Sequence, residues 1–125
     1  MKDNRPVNLD ISTIKLPITA FTSIMHRVSG IAIFLGVAVL LYFLDQSLVS
    51  ETRFYEIKSL LTENFIVKLI VWLILSGFIY HASAGVKHLI MDLGFGETLE
   101  GGKQAAAITV VIAAILIVFA GVWIW

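Results

Sequence analysis

Apolar residues run along this chain in three long stretches, at 28–44, 69–86 and 104–125, none interrupted by Lys, Arg, Asp or Glu. They are built mostly of Ile, Leu, Val, Ala and Phe and lack the strict apolar–polar alternation of a barrel strand. A helix that crosses a bilayer needs about 20 residues, with a range of about 17–25. With their polar ends included, the stretches predict helices at about 23–46, 65–91 and 103–125. The pattern therefore predicts an all-α integral membrane protein. An N-terminal segment, 1–22, precedes a single transmembrane domain, 23–125.

The two connections differ. Residues 45–68 are long enough for structure of their own, and Phe54, Ile57 and Leu61 recur at helical spacing among Glu51, Arg53, Glu56, Lys58 and Glu63. That spacing suits a short amphipathic helix on the membrane surface within the 47–64 loop. A plain solvated loop is the equal alternative. Residues 92–103 carry Gly94, Gly96, Gly101 and Gly102, without the preceding strand or Gly-Lys-Ser/Thr ending of a phosphate loop. No internal repeat is visible.

Composition sharpens this picture. The 125 residues are 58% hydrophobic and 14% charged, against about 25% charged in soluble domains. So short a chain cannot bury that much apolar surface within itself. The formal net charge is zero, which removes any bulk electrostatic case for nucleic acid. There are no cysteines, so this chain forms no disulfide, thiolate metal site, thioether-linked haem or thiolate-held iron–sulfur cluster. The first 27 residues carry Pro6, Pro17 and scattered charges, with neither the apolar run of a signal peptide nor the acid-free character of a mitochondrial import sequence. The N-terminus is expected to be mature as written.

Charge also gives direction. Lys2, Arg5, Lys15, Arg27, Lys87 and Lys103 fall on one side of the predicted membrane, and Arg53, Lys58 and Lys68 on the other. The positive-inside rule then predicts a cytoplasmic N-terminus and an exported C-terminus. Trp72, Trp123 and Trp125 fall near the exported face, as an interfacial aromatic belt would.

Ionisable groups within a span are costly and point to function. His81 lies six residues before Lys87, about 9 Å below the cytoplasmic end of its helix. A neutral imidazole there can bind a metal or accept a hydrogen bond; it can equally donate to a backbone carbonyl of a neighbouring helix. Gly77 and Gly85 are four residues to either side, on the same face, with Ala84 alongside. Such small residues leave a slot for a flat macrocycle or admit another helix closely. His88 shares nearly the same face about 10 Å further along, a rise comparable to the reach from a haem iron to its propionates. His26 is the third histidine, and by depth it is expected to match His88 rather than His81. A six-coordinate haem at His81 would therefore need its second ligand from a partner subunit.

The start of span one gathers Ser23, His26, Arg27 and Ser29. Ser23 and Arg27 are four apart and share a face. Arg27 there can snorkel to lipid head groups. A hydroxyl beside a guanidinium also suits a quinone carbonyl, which needs donors as it becomes reduced. Arg27 or His26 could equally hold a haem propionate.

Residues 23–30 (Ser-Ile-Met-His-Arg-Val-Ser-Gly) and 81–94 (His-Ala-Ser-Ala-Gly-Val-Lys-His-Leu-Ile-Met-Asp-Leu-Gly) resemble the cytochrome b membrane-anchor subunit of succinate dehydrogenase, respiratory complex II. Residues 5–10 (Arg-Pro-Val-Asn-Leu-Asp) and 17–20 (Pro-Ile-Thr-Ala) fit the bacterial version. The likeness covers essentially the whole chain, helix count and loop lengths included. It implies that His81 is an axial ligand to haem b, with the other ligand from a second, smaller anchor subunit. Ser23 and Arg27 match residues of the ubiquinone site, completed by the iron–sulfur subunit and the small anchor. His26, Arg27 and His88 would lie at the haem propionates, with Gly85 in the haem pocket. FAD and the iron–sulfur clusters would belong to the flavoprotein and iron–sulfur partners, and the assembly to the bacterial inner membrane with a periplasmic C-terminus. One departure stands out: Lys87 occupies a place where the family usually has Arg, keeping the charge but losing the bidentate fork. The rival readings are a structural anchor without haem and a small transporter subunit in which His81 relays protons. The transporter reading expects further acids within the spans, whereas Asp45 and Asp92 sit only at their ends.

Overall fold

A computed structural model describes residue 10 and residues 13–125. The motif at residues 5–10, apart from Asp10, lies outside the described residues, as do Lys2 and Arg5. Four helices follow in order: α1 (Ile18–Ser47), α2 (Glu51–Glu63), α3 (Phe65–Asp92) and α4 (Leu99–Ile124). No strand occurs among the described residues. α1, α3 and α4 are each long and apolar enough to cross a membrane. At 1.5 Å per residue they measure about 39–45 Å, more than the roughly 30 Å of hydrocarbon they must cross. Their ends therefore project into the head-group layers.

The ends of the elements have local causes. α1 starts at Ile18, earlier than the hydropathy alone places it, because Pro17 in extended geometry precedes the first turn and lacks only an N–H that no helix needs there. Of the two readings for the first connection, the structure adopts the helix. Ser50 accepts a hydrogen bond from the Arg53 N–H to start α2. Asn64 then ends α2 in extended geometry and caps α3, its side chain accepting from the N–H groups of Ile66 and Val67. One residue thus separates the surface helix from the spanning one. On α2, Arg53 pairs with Glu56 at 2.9 Å. The Glu56 carboxylate holds this guanidinium above its ordinary pKa, but so exposed a pair adds little stability. Past α3 the chain turns through Gly94 and Gly96, both at positive φ (88° and 75°), where a side chain would be strained. Thr98 caps α4 by accepting from the Gly101 N–H.

α3 lies centrally, packed against both α1 and α4. Apart from Lys87 of α3, the interior holds small side chains only. Thr22, Ser29 and Gly36 are the buried positions of α1, spaced seven apart, and Gly102, Ala106, Thr109 and Ala113 those of α4. The largest fully buried side chain is Thr22, and the buried apolar residues are Ala84, Ala106 and Ala113. Phe34, Leu35, Val118, Phe119 and Val122 face outwards instead. That distribution fits a lipid solvent, in which helices associate by close backbone approach. Buried hydroxyls are satisfied by their own helix: Thr22 donates to the Thr19 carbonyl at 3.1 Å and Thr109 to that of Ala105 at 2.8 Å.

Two contacts pin the bundle at its opposite ends. Near the end of α4, the Trp72 indole donates to the Ile117 carbonyl at 3.1 Å. Trp125 stands edge-on to Trp72, with ring centroids 6.3 Å apart. At the other end the Tyr80 hydroxyl donates across to the Thr22 carbonyl at 3.1 Å. Between them Gly36 meets Ile74 so closely that a Cβ would lie 2.7 Å from the isoleucine Cγ2, whereas one on Gly77 would lie 3.8 Å from Ile33. Gly36→Leu is therefore expected to cost about 1–3 kcal/mol, the scale of overpacking, read as a lower unfolding midpoint in detergent. Gly77→Ala should leave that midpoint nearly unchanged.

Candidate functional site

The three histidines come together where α1 and α3 meet. The His26 and His81 rings stack, with centroids 4.1 Å apart and planes 18° from parallel. His88 lies on the other side of His26, centroids 5.2 Å apart and tilted by 42°. His26 thus sits between the two α3 histidines and nearer to His81, correcting the expectation that it matches His88 in depth. The reason is lateral: α1 approaches α3 closely enough for a ring to bridge the rise between two turns of the other helix.

Hydrogen bonding fixes the chemistry of His81. Its Nδ1 is 3.0 Å from the His26 carbonyl oxygen and 3.1 Å from Ser29 Oγ. A carbonyl can only accept, so Nδ1 must carry the proton. The Ser29 hydroxyl already donates to that same carbonyl at 2.8 Å, leaving its lone pairs to accept from Nδ1. The neutral ring then has its free lone pair on Nε2. Metal-ligating histidines are prepared in this way, one nitrogen donating to a carbonyl while the other is offered to the metal. The contact is also the interhelical bond of the rival reading, and it occupies Nδ1 alone.

The surroundings have a cradle and an orphan. A Cβ on Gly30 would lie 3.1 Å from His81 Cε1, and one on Gly85 would lie 3.8 Å from His26 Nε2. Gly30 thereby lets the His81 ring lie flat against α1. Ala84 is buried and Gly77 faces Ile33, so these two small residues admit α1 rather than leave an open slot. His26 Nε2 is buried with no hydrogen-bond partner, and a buried polar atom in that state calls for one. The stacked rings do not clasp a common centre, because lone pairs lie in the ring planes and these planes are almost parallel. Among the described residues no His, Asp and Glu side chains converge as a site for a bare metal ion.

Ser23 and Arg27 are not part of this stack. The buried face of α1 is defined by Thr22, Ser29 and Gly36, and at 100° per residue Ser23 lies about 100–140° and Arg27 about 140–180° from those positions, so both turn away from it. Ser23 is half-buried and Arg27 exposed, and neither hydrogen-bonds to another described side chain. Lys87 is buried to 9% exposure and lines a groove between α3 and α4. Ser29 and Gly30 belong to the site as much as the histidines do. Their signal was available: three and four residues after His26, they share its face.

A family model described as succinate dehydrogenase/fumarate reductase transmembrane subunit matches residues 1–120. This chain belongs to that family. It is 43% identical over 125 residues to the succinate dehydrogenase cytochrome b556 subunit of Coxiella burnetii, covering 100% of both chains. The subunit of the same name from Paracoccus denitrificans is 32% identical over 130 residues, with 94% of each chain covered. The succinate dehydrogenase cytochrome b560 subunit of Marchantia polymorpha is 32% identical over 121 residues, covering 93% of this chain and 88% of its own.

Magnetic resonance of histidine labelled with nitrogen-15 is expected to show His81 as the Nδ1–H tautomer, with a signal that disappears in His81→Leu. An Nε2–H tautomer would contradict the geometry above.

Proposed function

We propose that this chain is the haem-binding membrane anchor of a bacterial succinate dehydrogenase. It holds haem b through His81 Nε2 and forms one wall of a ubiquinone-reduction site with Ser23 and Arg27. The observation that carries the reading is the His81 tautomer, fixed by the His26 carbonyl and Ser29 Oγ at 3.0 and 3.1 Å. The residues present fit the group: Nε2 is free to ligate, and His26 Nε2 is a buried donor or acceptor without a partner.

When bound, the haem supplies one-electron redox capacity. The chain's own residues do the rest. The Nδ1–H bond orients the His81 ring and turns Nε2 to the group it would hold. His26, with His88 beside it and Gly85 leaving room, would hold a propionate; Arg27 offers a further cation at the same level. A second small anchor subunit would provide the other axial ligand, since the His26 ring is stacked on His81 and not opposed to it. The Ser23 hydroxyl would donate to a quinone oxygen. The Arg27 guanidinium would stabilise negative charge that builds there and position a proton-carrying water. Both turn away from the buried face of α1, so the remaining walls fall to the small anchor and the iron–sulfur subunit. Succinate oxidation belongs to the flavoprotein with its FAD, and electron entry to the iron–sulfur clusters. The excess of Lys and Arg supports an N-terminus and α3–α4 connection in the cytoplasm, with the C-terminus periplasmic.

An anchor without haem has one observation in its favour: the His81 ring already joins α1 to α3. A reduced-minus-oxidised visible spectrum of the purified complex separates the readings. We expect a b-type band that His81→Leu abolishes together with bound haem; a wild-type spectrum in that variant would refute the ligand assignment. For the quinone site, Arg27→Ala should lower succinate–quinone reductase activity by roughly ten- to a hundredfold, the scale of a lost charge-stabilising donor. Succinate oxidation by a soluble dye should persist. Equal loss of both activities would mean failed assembly and no quinone role.

A further inference from the structure

A groove runs between α3 and α4, and none of the three histidines lines it. It encloses about 480 Å³, within the 300–1,000 Å³ or so of small-molecule sites. Its walls are apolar, formed by Val86 and Ile90 on α3 and Ile108 and Ile112 on α4. Two hydroxyls line it, and both are spent on their own helices: Ser83 donates to the Ile79 carbonyl and Thr109 to that of Ala105, each at 2.8 Å. The remaining polar group is the Lys87 ammonium. Lys87 is only 9% exposed, and among the described residues no carboxylate lies within 4.0 Å of it. A buried, unpaired cation in an apolar groove calls for an anion.

Depth identifies the anion. Lys87 is five residues from the end of α3, about 7.5 Å along the axis. Because α3 outruns the hydrocarbon layer by only about 6 Å at each end, that level falls at the edge of the hydrocarbon, from which a lysine extends its ammonium to the head groups while its stem lies on apolar surface. An acidic side chain on a neighbouring helix would have to be carried into lipid to reach Lys87. A lipid phosphate stands at that depth already, with hydrocarbon attached below it to fill the groove. We propose that the α3–α4 groove binds one anionic phospholipid, its phosphate on Lys87 and an acyl chain between Val86, Ile90, Ile108 and Ile112.

The test uses the whole complex, exchanged into nanodiscs of phosphatidylcholine or of an equimolar phosphatidylcholine–phosphatidylglycerol mixture, released into neutral detergent and weighed by native mass spectrometry. Wild type is expected to retain phosphatidylglycerol in preference to phosphatidylcholine. Lys87→Met should weaken that retention about fivefold, as the loss of one cation near a charged lipid surface does. Lys87→Arg should keep it. Ala82→Phe, on the exposed groove wall, leaves the charge in place and should displace the acyl chain, so it tests the site even where Lys87→Met fails to assemble. Wild-type phosphatidylglycerol retention in both Lys87→Met and Ala82→Phe overturns the proposal. So does a photoreactive group at Val86 that crosslinks to a partner subunit and to no lipid, since a helix would then fill the groove.

Discussion

Lipid tails are as apolar as leucine, so burial of large side chains does not drive spanning helices together. What holds α1 on α3 is proximity, obtained by placing Thr22, Ser29 and Gly36 on one face and Ala84 on the other. The histidine site depends on that proximity. His81 Nδ1 reaches the backbone of α1 where no side chain stands at Gly30, whose Cβ would lie 3.1 Å from the ring. A bundle spaced by leucines would leave the imidazole without its carbonyl, and the free lone pair would no longer be assigned to Nε2.

The same solvent explains how polarity is managed elsewhere. Hydroxyls along the spans donate to carbonyls of their own helices, as lipid offers no other acceptor. Two polar groups stand apart from this economy, the His26 Nε2 and the Lys87 ammonium. They face different neighbours, one the α1–α3 seam and the other the α3–α4 groove. Each is a buried polar group left without a hydrogen-bond or ion-pair partner among the described residues.

Family membership and geometry support each other without being interchangeable. The match extends through residues 1–120, which ties the chain to the membrane part of the enzyme. Geometry then distributes roles within it. The Ser23–Arg27 side and the histidine seam are separate surfaces of α1, one turned outwards and one turned towards α3, so a substitution on one need not disturb the other.

Hydropathy alone determined the three spans, because a bilayer demands uninterrupted apolar length and few other environments tolerate it. The histidines and the Ser23–Arg27 pair were also legible, since polar groups in lipid are conspicuous. Spacing along one helix, however, says nothing of what a second helix brings alongside. It left undecided whether His81 donates or accepts, and it assigned His26 to the wrong level. Lys87 and His88 are adjacent in sequence, yet a rotation of 100° turns His88 to the His26 ring of α1 and Lys87 to the α3–α4 groove. Only the tertiary structure, by setting how near α1 and α4 approach α3, decided which nitrogen is free and which cation has no partner.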